Sequence, residues 1–290
     1  MVCDDHYIMM LAALLKSIEV NHHTSEKIDA YIIDDHIKGS NKNKVLNSLT
    51  SKKIVPHFIP IEEVITKKSS LPGDSSFFPF NIYARIFISE WLPKTIRKIL
   101  YLDVDMIFRR DISELWGIKI NGATIAAVLD KSQFFSNSWA GIPNYKELNF
   151  APETKYFNSG LLIIDTEKWR LENIKVKVLA CIQDNLKFAT YPDQYGLNIV
   201  FANKWFNIDE RWNTQSGSTD ENPYVIHFTG RKPIYRSYQK SQDYNKVYRD
   251  EFYKYLRLTQ WSEFESINEY QRLLKKLYIK LRKNKLFARF

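Results

Sequence analysis

Apolar and polar positions alternate along the chain in two patterns, one typical of strands and one typical of helices. Short apolar runs rich in β-branched residues predict strands at Ile28–Ile33, Ile54–Ile59, Thr124–Leu129, Tyr156–Ile164, Lys204–Ile208 and Tyr224–Phe228. Apolar positions at three- and four-residue steps predict helices at Ile8–Val20, Asn41–Leu49, Ile82–Trp91 and Glu167–Asn185. Strands that alternate with helices indicate an α/β protein whose sheet is built largely from parallel strands.

One apolar run carries two carboxylates. The segment Arg97–Phe108 reads as a buried strand, yet it contains Asp103 and Asp105, the only Asp-x-Asp in the chain. Residues i and i+2 of a strand point to the same side, so the two charges repel each other and lose hydration. A divalent cation is the simplest group that offsets this cost. In open α/β sheets, ligands bind beyond the carboxyl ends of the strands, where this pair is expected.

Other predicted strands also end on polar residues, namely Asp4 and Asp5, Asp34 and Asp35, Asp130, Asn158 and His227. Parallel strands would bring these ends to one rim. Hard oxygen ligands with a single imidazole suit Mn²⁺ or Mg²⁺, and the imidazole favours Mn²⁺. Next to His227, the segment Thr229–Pro233 supplies a glycine and two cations, Arg231 and Lys232. This combination predicts a site for a diphosphate.

At these positions the chain resembles the retaining glycosyltransferases of family 8, which include bacterial lipooligosaccharide galactosyltransferases and glycogenin. The matching motifs follow the family's order over residues 1 to about 235: Cys3–Tyr7, Tyr83–Arg85, Leu100–Asp105, Asp130, Tyr156–Asp165, Pro192–Gln194 with Asn198, and His227–Pro233. The resemblance implies a GT-A fold, which is a single Rossmann-like mixed sheet flanked by helices. We expect this domain to span residues 1–255 and a basic helical tail to follow at 256–290.

The resemblance also implies roles for individual residues. Asp103, Asp105 and His227 would bind Mn²⁺, with Mg²⁺ as the alternative. Asp4 and Tyr7 would hold the uracil, and Gly230 and Lys232 would contact the diphosphate. Arg85, Asn158 and Asp193 would hold the donor sugar, with Asp130 beside it and Gln194 beneath the anomeric carbon. Asp130, Asp193 and Gln194 are therefore the expected catalytic residues.

The implied reaction is hexosyl transfer with retention of configuration. Galactose or glucose would pass from a UDP-sugar to a hydroxyl of a saccharide or glycoconjugate, which the segments 131–154 and 215–222 would meet. The chain departs from the family in its short first strand, in His6 where Asn is commoner, and in Ile234 where Trp is usual. These departures leave open whether Arg231 or Lys232 grips the diphosphate. Two alternatives are a metal-dependent nucleotide-diphosphate-sugar hydrolase and a membrane-associated binding protein without enzymatic activity.

The net charge of +9 is concentrated at the carboxyl end. Residues 271–290 hold eight Lys or Arg and no acid, so the remaining chain has a net charge of only +1. A neutral body argues against nucleic acid as a partner. Leu273, Leu277 and Leu281 recur at helical spacing among the basic residues, which is typical of a helix that lies on an anionic membrane. The resemblance agrees with a cytoplasmic enzyme held at the inner face of the membrane.

Two cysteines give neither a disulfide framework nor metal-ligand spacing. No apolar run reaches the length of a membrane span, and Asp4 and Asp5 before the first helix do not suit an export signal.

Overall fold

The computed structural model describes residues 1–66, 71–72, 80–270 and 274. The first three strands form a parallel sheet in the order β1 (Val2–Asp4), β2 (Ile28–Asp35) and β3 (Ile54–Pro60). The crossovers are helices α1 (Ile8–Asn21) and α2 (Gly39–Ser48). The alternating pattern of this first fifth of the chain therefore predicted both its elements and the direction of its strands.

The later strands form two further sheets among the described residues. Their bounds are β4 (Lys98–Leu102), β5 (Met106–Phe108), β6 (Ile125–Phe134), β7 (Lys155–Asp165), β8 (Phe206–Asn207), β9 (Thr214–Gln215) and β10 (Val225–His227). One sheet has the order β4–β7–β6–β8 and the other the order β5–β10–β9. Strand β7 runs antiparallel to both of its neighbours, and β10 runs antiparallel to β5. The predicted mixed α/β architecture is confirmed, but the expectation of a largely parallel sheet is wrong for this part of the chain.

The remaining helices are α3 (Ile61–Val64), α4 (Ile88–Trp91), α5 (Ile112–Trp116), α6 (Thr166–Leu171), α7 (Ile174–Asp184), α8 (Pro192–Val200) and α9 (Lys246–Leu256). The single helix predicted at Glu167–Asn185 is two helices, because Asn173 adopts a left-handed conformation with φ of 53°. The helix predicted at Ile82–Trp91 is a 3-10 helix, Phe80–Phe87, followed by α4. Periodicity alone does not distinguish these cases from one continuous helix.

Strand β7 is an inner strand of the four-stranded sheet. It lies between β4 and β6, and its residues from Tyr156 to Ile164 are all buried. Because it runs antiparallel to β4, the middle of β7 meets the end of β4: Leu102 pairs with Leu161, and the Asp103 N–H donates to Gly160 O at 2.8 Å. Asn158 was expected at a strand end, but it lies near the beginning of β7. Because β7 runs antiparallel to its neighbours, a residue near its beginning lies at the same edge of the sheet as residues near the ends of those neighbours. Asn158 therefore still reaches the edge at which the other polar residues were expected.

A gap separates β2 from β4. Strand β1 covers only the last part of β2, and an apolar cavity of about 520 Å³ lies between residues 28–31 of β2 and residues 98–102 of β4. The amino group of Met1 lies at this cavity and donates to Tyr31 O at 3.1 Å. Burial lowers the pKa of this amino group to about 5.

The chain after α9 packs back on the body. The Gln260 N–H donates to Ser48 Oγ at 2.9 Å, and the Ile267 N–H donates to Ile234 O at 2.9 Å. The boundary between domain and tail at residues 255 and 256 stays a prediction. Apart from Leu274, the basic segment 271–290 lies outside the described residues. Within the described part of the chain, no helix is both long and apolar enough to cross a membrane.

Candidate active site

Asp103, Asp105 and His227 lie together, although 122 residues separate the second from the third. Asp103 follows β4, Asp105 precedes β5, and His227 ends β10 opposite Met106 of β5. One ligand atom from each residue lies within 4.8 Å of the others. His227 Nε2 is 3.2 Å from Asp105 Oδ1 and 4.0 Å from Asp103 Oδ2. The group expected from the Asp-x-Asp and the distant histidine is therefore assembled by the pairing of β5 with β10.

Asn213 orients the imidazole of His227. His227 Nδ1 lies 2.8 Å from Asn213 Oδ1, and Asn213 Nδ2 donates to Asn158 Oδ1 at 3.0 Å. The NH₂ of the Asn213 amide donates to Asn158, so the amide oxygen faces the imidazole of His227. Since this oxygen can only accept, the proton of the neutral ring lies on Nδ1. The lone pair of Nε2 then points toward the two carboxylates. A hydrogen bond to the non-ligating nitrogen is how proteins commonly orient a metal-binding histidine.

These residues fit a divalent cation. Asp105 Oδ1 is buried and accepts no well-formed hydrogen bond from the described residues, which leaves a carboxylate oxygen directed into the group. Two carboxylates and one imidazole are the donor set that suits Mn²⁺ or Mg²⁺. A cation held by these residues would offset the repulsion between Asp103 and Asp105 that the sequence predicted.

Gly160 provides the space for the group. A Cβ atom at this position would lie 2.4 Å from His227 Cε1 and 2.8 Å from Asp103 Oδ2. Both distances are too short for non-bonded atoms, so any side chain would displace the histidine or the aspartate. The glycine of the Asn-Ser-Gly sequence on β7 is therefore a steric requirement of the site.

Two cations balance the carboxylates. Arg85 donates to Asp103 Oδ1 at 2.8 Å, pairs with Asp193 Oδ2 at 3.0 Å and donates to Ser159 O at 2.9 Å. The ammonium of Lys232 pairs with Asp105 Oδ2. Burial alone would raise the pKa of Asp105, but the ammonium of Lys232 holds it well below its usual range. Asp105 therefore stays ionised and available to a cation.

Asp193 and Gln194 begin helix α8, next to the same group. Burial raises the pKa of the Asp193 carboxyl above its ordinary value, in spite of Arg85. Both ends of the Gln194 amide are held: Oε1 accepts from Ser159 N at 2.9 Å, and Nε2 donates to Tyr156 OH at 3.0 Å. Gln194 is thus held against Tyr156 and Ser159 of β7, which lie on either side of Asn158 in the chain.

Asp130 and Asn158 connect this region to the histidine. Asp130 Oδ2 accepts from Asn158 Nδ2 at 3.0 Å and from Gln215 Nε2 at 3.2 Å. Its other oxygen accepts from Ser132 N and Ser132 Oγ at 3.0 and 2.8 Å. Through Asn158 and Asn213, one chain of hydrogen bonds runs from Asp130 to His227.

The remaining predicted residues lie on the loops around the sheet edge. Asp4 ends β1, and its Oδ1 accepts from the N–H groups of His6 and Tyr7 at the start of α1. Gly230 follows β10, where a side chain would collide with the carboxylate of Asp243. Arg231 is half-exposed and lies 3.7 Å from Glu269, whereas Lys232 points to Asp105. Of the two cations that the sequence left open, Lys232 is the one at the carboxylates.

The sequence profile of Glycosyl transferase family 8 matches residues 1–233. The chain belongs to glycosyltransferase family 8. Members of this family are transferases, so the hydrolase and the non-enzymatic binding protein are the less supported of the three predicted functions.

Relatives of this family 8 chain cover nearly all of it. General stress protein A of Bacillus subtilis is 32% identical and covers 89% of this chain and 92% of its own length. Lipopolysaccharide 1,2-glucosyltransferase of Escherichia coli is 24% identical and covers 78% of this chain and 69% of its own. The structure of the galactosyltransferase LgtC with donor and acceptor sugar analogs matches 90% of this chain and 98% of its own, with a TM-score of 0.71 at 22% identity. The GT-A fold implied by the motifs is confirmed.

Sequence reasoning did not assign three residues of this family 8 site. Asn213 ends a 3-10 helix, Glu210–Asn213, and no motif surrounds it. Ser159 and Gly160 lie inside the motif Tyr156–Asp165, but only their contacts in the structure show what they do. The one available signal was the glycine within a buried strand, which often marks close approach of another group.

Proposed function

We propose that this family 8 member is a retaining hexosyltransferase that moves galactose or glucose from a UDP-sugar to a hydroxyl of a saccharide or glycoconjugate, with Mn²⁺ as its cation. The observation that carries the proposal is the Asp103–Asp105–His227 group, in which the histidine is buried and the carboxylates are half-buried, with Gln194 held close by. The similarity to a glucosyltransferase of E. coli and to the galactosyltransferase LgtC supports a hexose donor.

Asp103, Asp105 and His227 Nε2 would hold the cation. When bound, a divalent cation supplies positive charge that stabilises a leaving diphosphate. Lys232 adds a second positive charge beside it, because its ammonium already lies against Asp105. Asp4 and Tyr7 would hold the uracil, and Gly230 would allow the backbone to approach the diphosphate.

The chemistry that follows is displacement on one face of the sugar. The bond between the anomeric carbon and the diphosphate oxygen breaks, and its electron pair stays on the oxygen. The acceptor oxygen bonds to the anomeric carbon on the same face, and its proton passes to the departing phosphate oxygen. Retaining glycosidases instead use a carboxylate nucleophile.

The residues around Gln194 favour this front-face route. Gln194 is a neutral amide with both ends hydrogen-bonded, so it is a poor nucleophile. Asp193 is paired with Arg85 and is therefore not free to attack. We assign to Arg85, Asp193 and Asn158 the positioning of the donor sugar, with Asp130 accepting from a sugar hydroxyl.

The test is release of UDP from a panel of UDP-sugars, with and without Mn²⁺ and with and without saccharide acceptors. We expect turnover of UDP-galactose or UDP-glucose that an acceptor accelerates, and at least a hundredfold loss in Asp103→Ala. Activity that is fully independent of metal would overturn the cation assignment. Equal UDP release with and without every acceptor would instead support the hydrolase, and a covalent sugar adduct on Gln194 or Asp193 would exclude front-face attack.

We also propose that the tail, residues 256–290, holds the enzyme on an anionic membrane at its cytoplasmic face. The support is the charge: eight basic residues without an acid in 271–290. Each basic residue near such a surface contributes about 1 kcal/mol, and salt weakens the attraction. A truncation that tests this should keep the contacts of Glu269 with the body. Glu269 accepts from Ser237 Oγ at 2.5 Å and lies 3.7 Å from Arg231.

A chain that ends at Tyr270 keeps these contacts with the body. We expect it to stay folded but to lose binding to phosphatidylglycerol vesicles that retain the 290-residue chain at low salt. Equal partitioning of the two chains would show that the tail has no membrane role.

A further inference from the structure

Beside the proposed transfer site lies a groove of about 310 Å³ that the mechanism above does not use. The loop 135–143 forms one wall, and residues 188–191 before α8 form part of the other. Its volume is at the lower end of the range for small-molecule sites, which begins near 300 Å³.

The loop that forms the first wall is held by its own hydrogen bonds. The N–H of Phe135 donates to Thr154 O at 2.8 Å, and the N–H of Ile142 donates to Phe135 O at 2.8 Å. At its tip, Asn137 Oδ1 accepts from the N–H groups of Trp139 and Ala140 at 2.9 and 3.2 Å. These bonds fix the backbone on both sides of Trp139.

Trp139 is nevertheless 80% exposed, and Tyr191 on the facing wall is 50% exposed. Neither ring is used to build the core. Aromatic rings bury a large apolar area when a ligand covers them, so two exposed rings on one groove offer a surface for binding.

The lining of the groove indicates the kind of ligand. Among the described residues that form it, none is an Asp, Glu, Lys, Arg or His. The polar groups are neutral, from Ser136, Asn137, Ser138 and Thr190, and they alternate with aromatic rings. This combination suits a neutral sugar ring, whose apolar face stacks on an aromatic ring while its hydroxyls meet neutral donors and acceptors. It does not suit a uronate or a phosphorylated sugar, because no cation is present to pair with their charge.

The groove is joined to the proposed transfer site by Tyr156. This residue lines the groove, and its hydroxyl accepts from Gln194 Nε2 at 3.0 Å. Gln194 itself is not part of the lining. A saccharide that reaches from the site into the groove would therefore place a second ring there, next to the ring whose hydroxyl is glycosylated.

We propose that this groove binds a neutral pyranose ring of the acceptor, stacked on Trp139, and that the acceptor is consequently at least a disaccharide. The inference rests on the proposed function for the direction in which the acceptor enters. Binding at the groove, however, is measurable without any transfer.

The experiment measures direct binding of lactose, maltose, cellobiose and N-acetyllactosamine by saturation-transfer NMR, without a donor. The variants are Trp139→Ala and Trp139→Phe, with Trp116→Ala as the matched control, because Trp116 is also exposed but lies on α5 at the separate cavity beside β4. We expect at least one disaccharide to bind the unaltered enzyme, and its affinity to fall about tenfold in Trp139→Ala, since stacking contributes up to about 1.4 kcal/mol. Trp139→Phe should recover part of the loss, and Trp116→Ala should change nothing.

Three results would overturn the proposal. They are no measurable binding of any of the four disaccharides, equal affinity in Trp139→Ala and Trp116→Ala, and a glucuronate-containing disaccharide that binds as tightly as the neutral ones. Because no donor is present, these results stand even if the transferase proposal fails. Conversely, a UDP-sugar turnover that is insensitive to Trp139→Ala with disaccharide acceptors would reject the groove and leave the transferase intact.

Discussion

At the scale of single residues, the candidate cation site depends on two residues, Asn213 and Gly160, that are not themselves among the expected ligands. Asn213 sets the tautomer of His227 by accepting from Nδ1 while it donates to Asn158. Gly160 leaves the space in which His227 and Asp103 approach each other. Both effects act on the cation site through position rather than through charge.

Replacing Asn213 by alanine should weaken cation binding. Nδ1 of His227 loses its acceptor, so the ring is free to change tautomer or rotate, and metal affinity should fall about 10- to 100-fold. Titration of Mn²⁺ followed by electron paramagnetic resonance measures this directly. The control is Asn222→Ala, at an exposed position on a surface turn. An unchanged Mn²⁺ affinity in Asn213→Ala would refute the orienting role.

Replacing Gly160 by alanine should damage the site and the fold together. The added Cβ would lie 2.4 Å from His227 Cε1, and overpacking of this kind costs about 1–3 kcal/mol. We expect a lower free energy of unfolding in urea and a loss of Mn²⁺ binding. At Gly39 an added Cβ meets no atom within 4 Å, so Gly39→Ala should leave both quantities close to their original values. If the two variants behave alike, the steric argument fails.

At the scale of elements, the site is a meeting of strand ends and helix starts. The end of β4, the beginning of β7 and the end of β10 supply Asp103, Asn158 and His227, and α8 begins with Asp193 and Gln194 beside them. Helix α5 is short, so the hydrogen bonds at its N-terminus are important for its stability. Its N-cap, Asp111, accepts from the N–H groups of Ser113 and His23 and pairs with His22.

Asp111 should make the stability of the protein depend on pH in the acid range. Burial alone would raise the pKa of Asp111, but hydrogen bonds from His22, His23 and Ser113 hold it well below its usual range. A carboxyl whose pKa is lower in the folded state stabilises the fold above its unfolded value, near 3.9, and this stabilisation disappears as the pH falls through the folded value.

We therefore expect Asp111→Ala to cost about 1–2 kcal/mol at pH 7 and less as the pH falls below about 4. Urea unfolding at several pH values measures the difference. Asp184→Ala, at an exposed position at the end of α7, should stay within about 0.5 kcal/mol of the original protein. A cost for Asp111→Ala that is the same at pH 7 and pH 3 would contradict the pKa argument.

At the scale of the whole molecule, the described strands form three sheets, and a cavity of about 520 Å³ lies between β2 and β4. Strand β1 begins at this cavity, and residues 28–31 of β2 line it. A cavity of about 520 Å³ lined by apolar side chains forfeits packing that a strand would supply.

Extending β1 should therefore stabilise the protein. Four residues, Ile-Val-Ile-Val, placed before Met1 would run alongside residues 28–31 of β2, and we expect a gain of about 3 kcal/mol after the entropy of ordering them. Thermal and urea unfolding measure it, and a Gly-Ser-Gly-Ser extension is the control for the displaced amino group. If both extensions raise stability equally, filling of the cavity is not the cause.

The sequence by itself determined the local elements and the kind of chemistry. Apolar periodicity predicted the parallel β1–β2–β3 unit closely, because each crossover is local in sequence. The two carboxylates of a buried strand predicted a cation, because burial of like charges is costly in any fold. Residue order along the motifs then led to the family.

Only the tertiary structure decided how the site is held. The antiparallel direction of β7, the contact of Asn213 with His227 and the use of Arg85 to join Asp103 with Asp193 all depend on partners that are far apart in the chain. No periodicity records such partners, since hydrogen bonds and ion pairs depend on distance and direction in space. For the same reason the groove beside Trp139 is absent from the sequence pattern: an exposed ring on an ordered loop has no period, and its neighbours come from three separate segments.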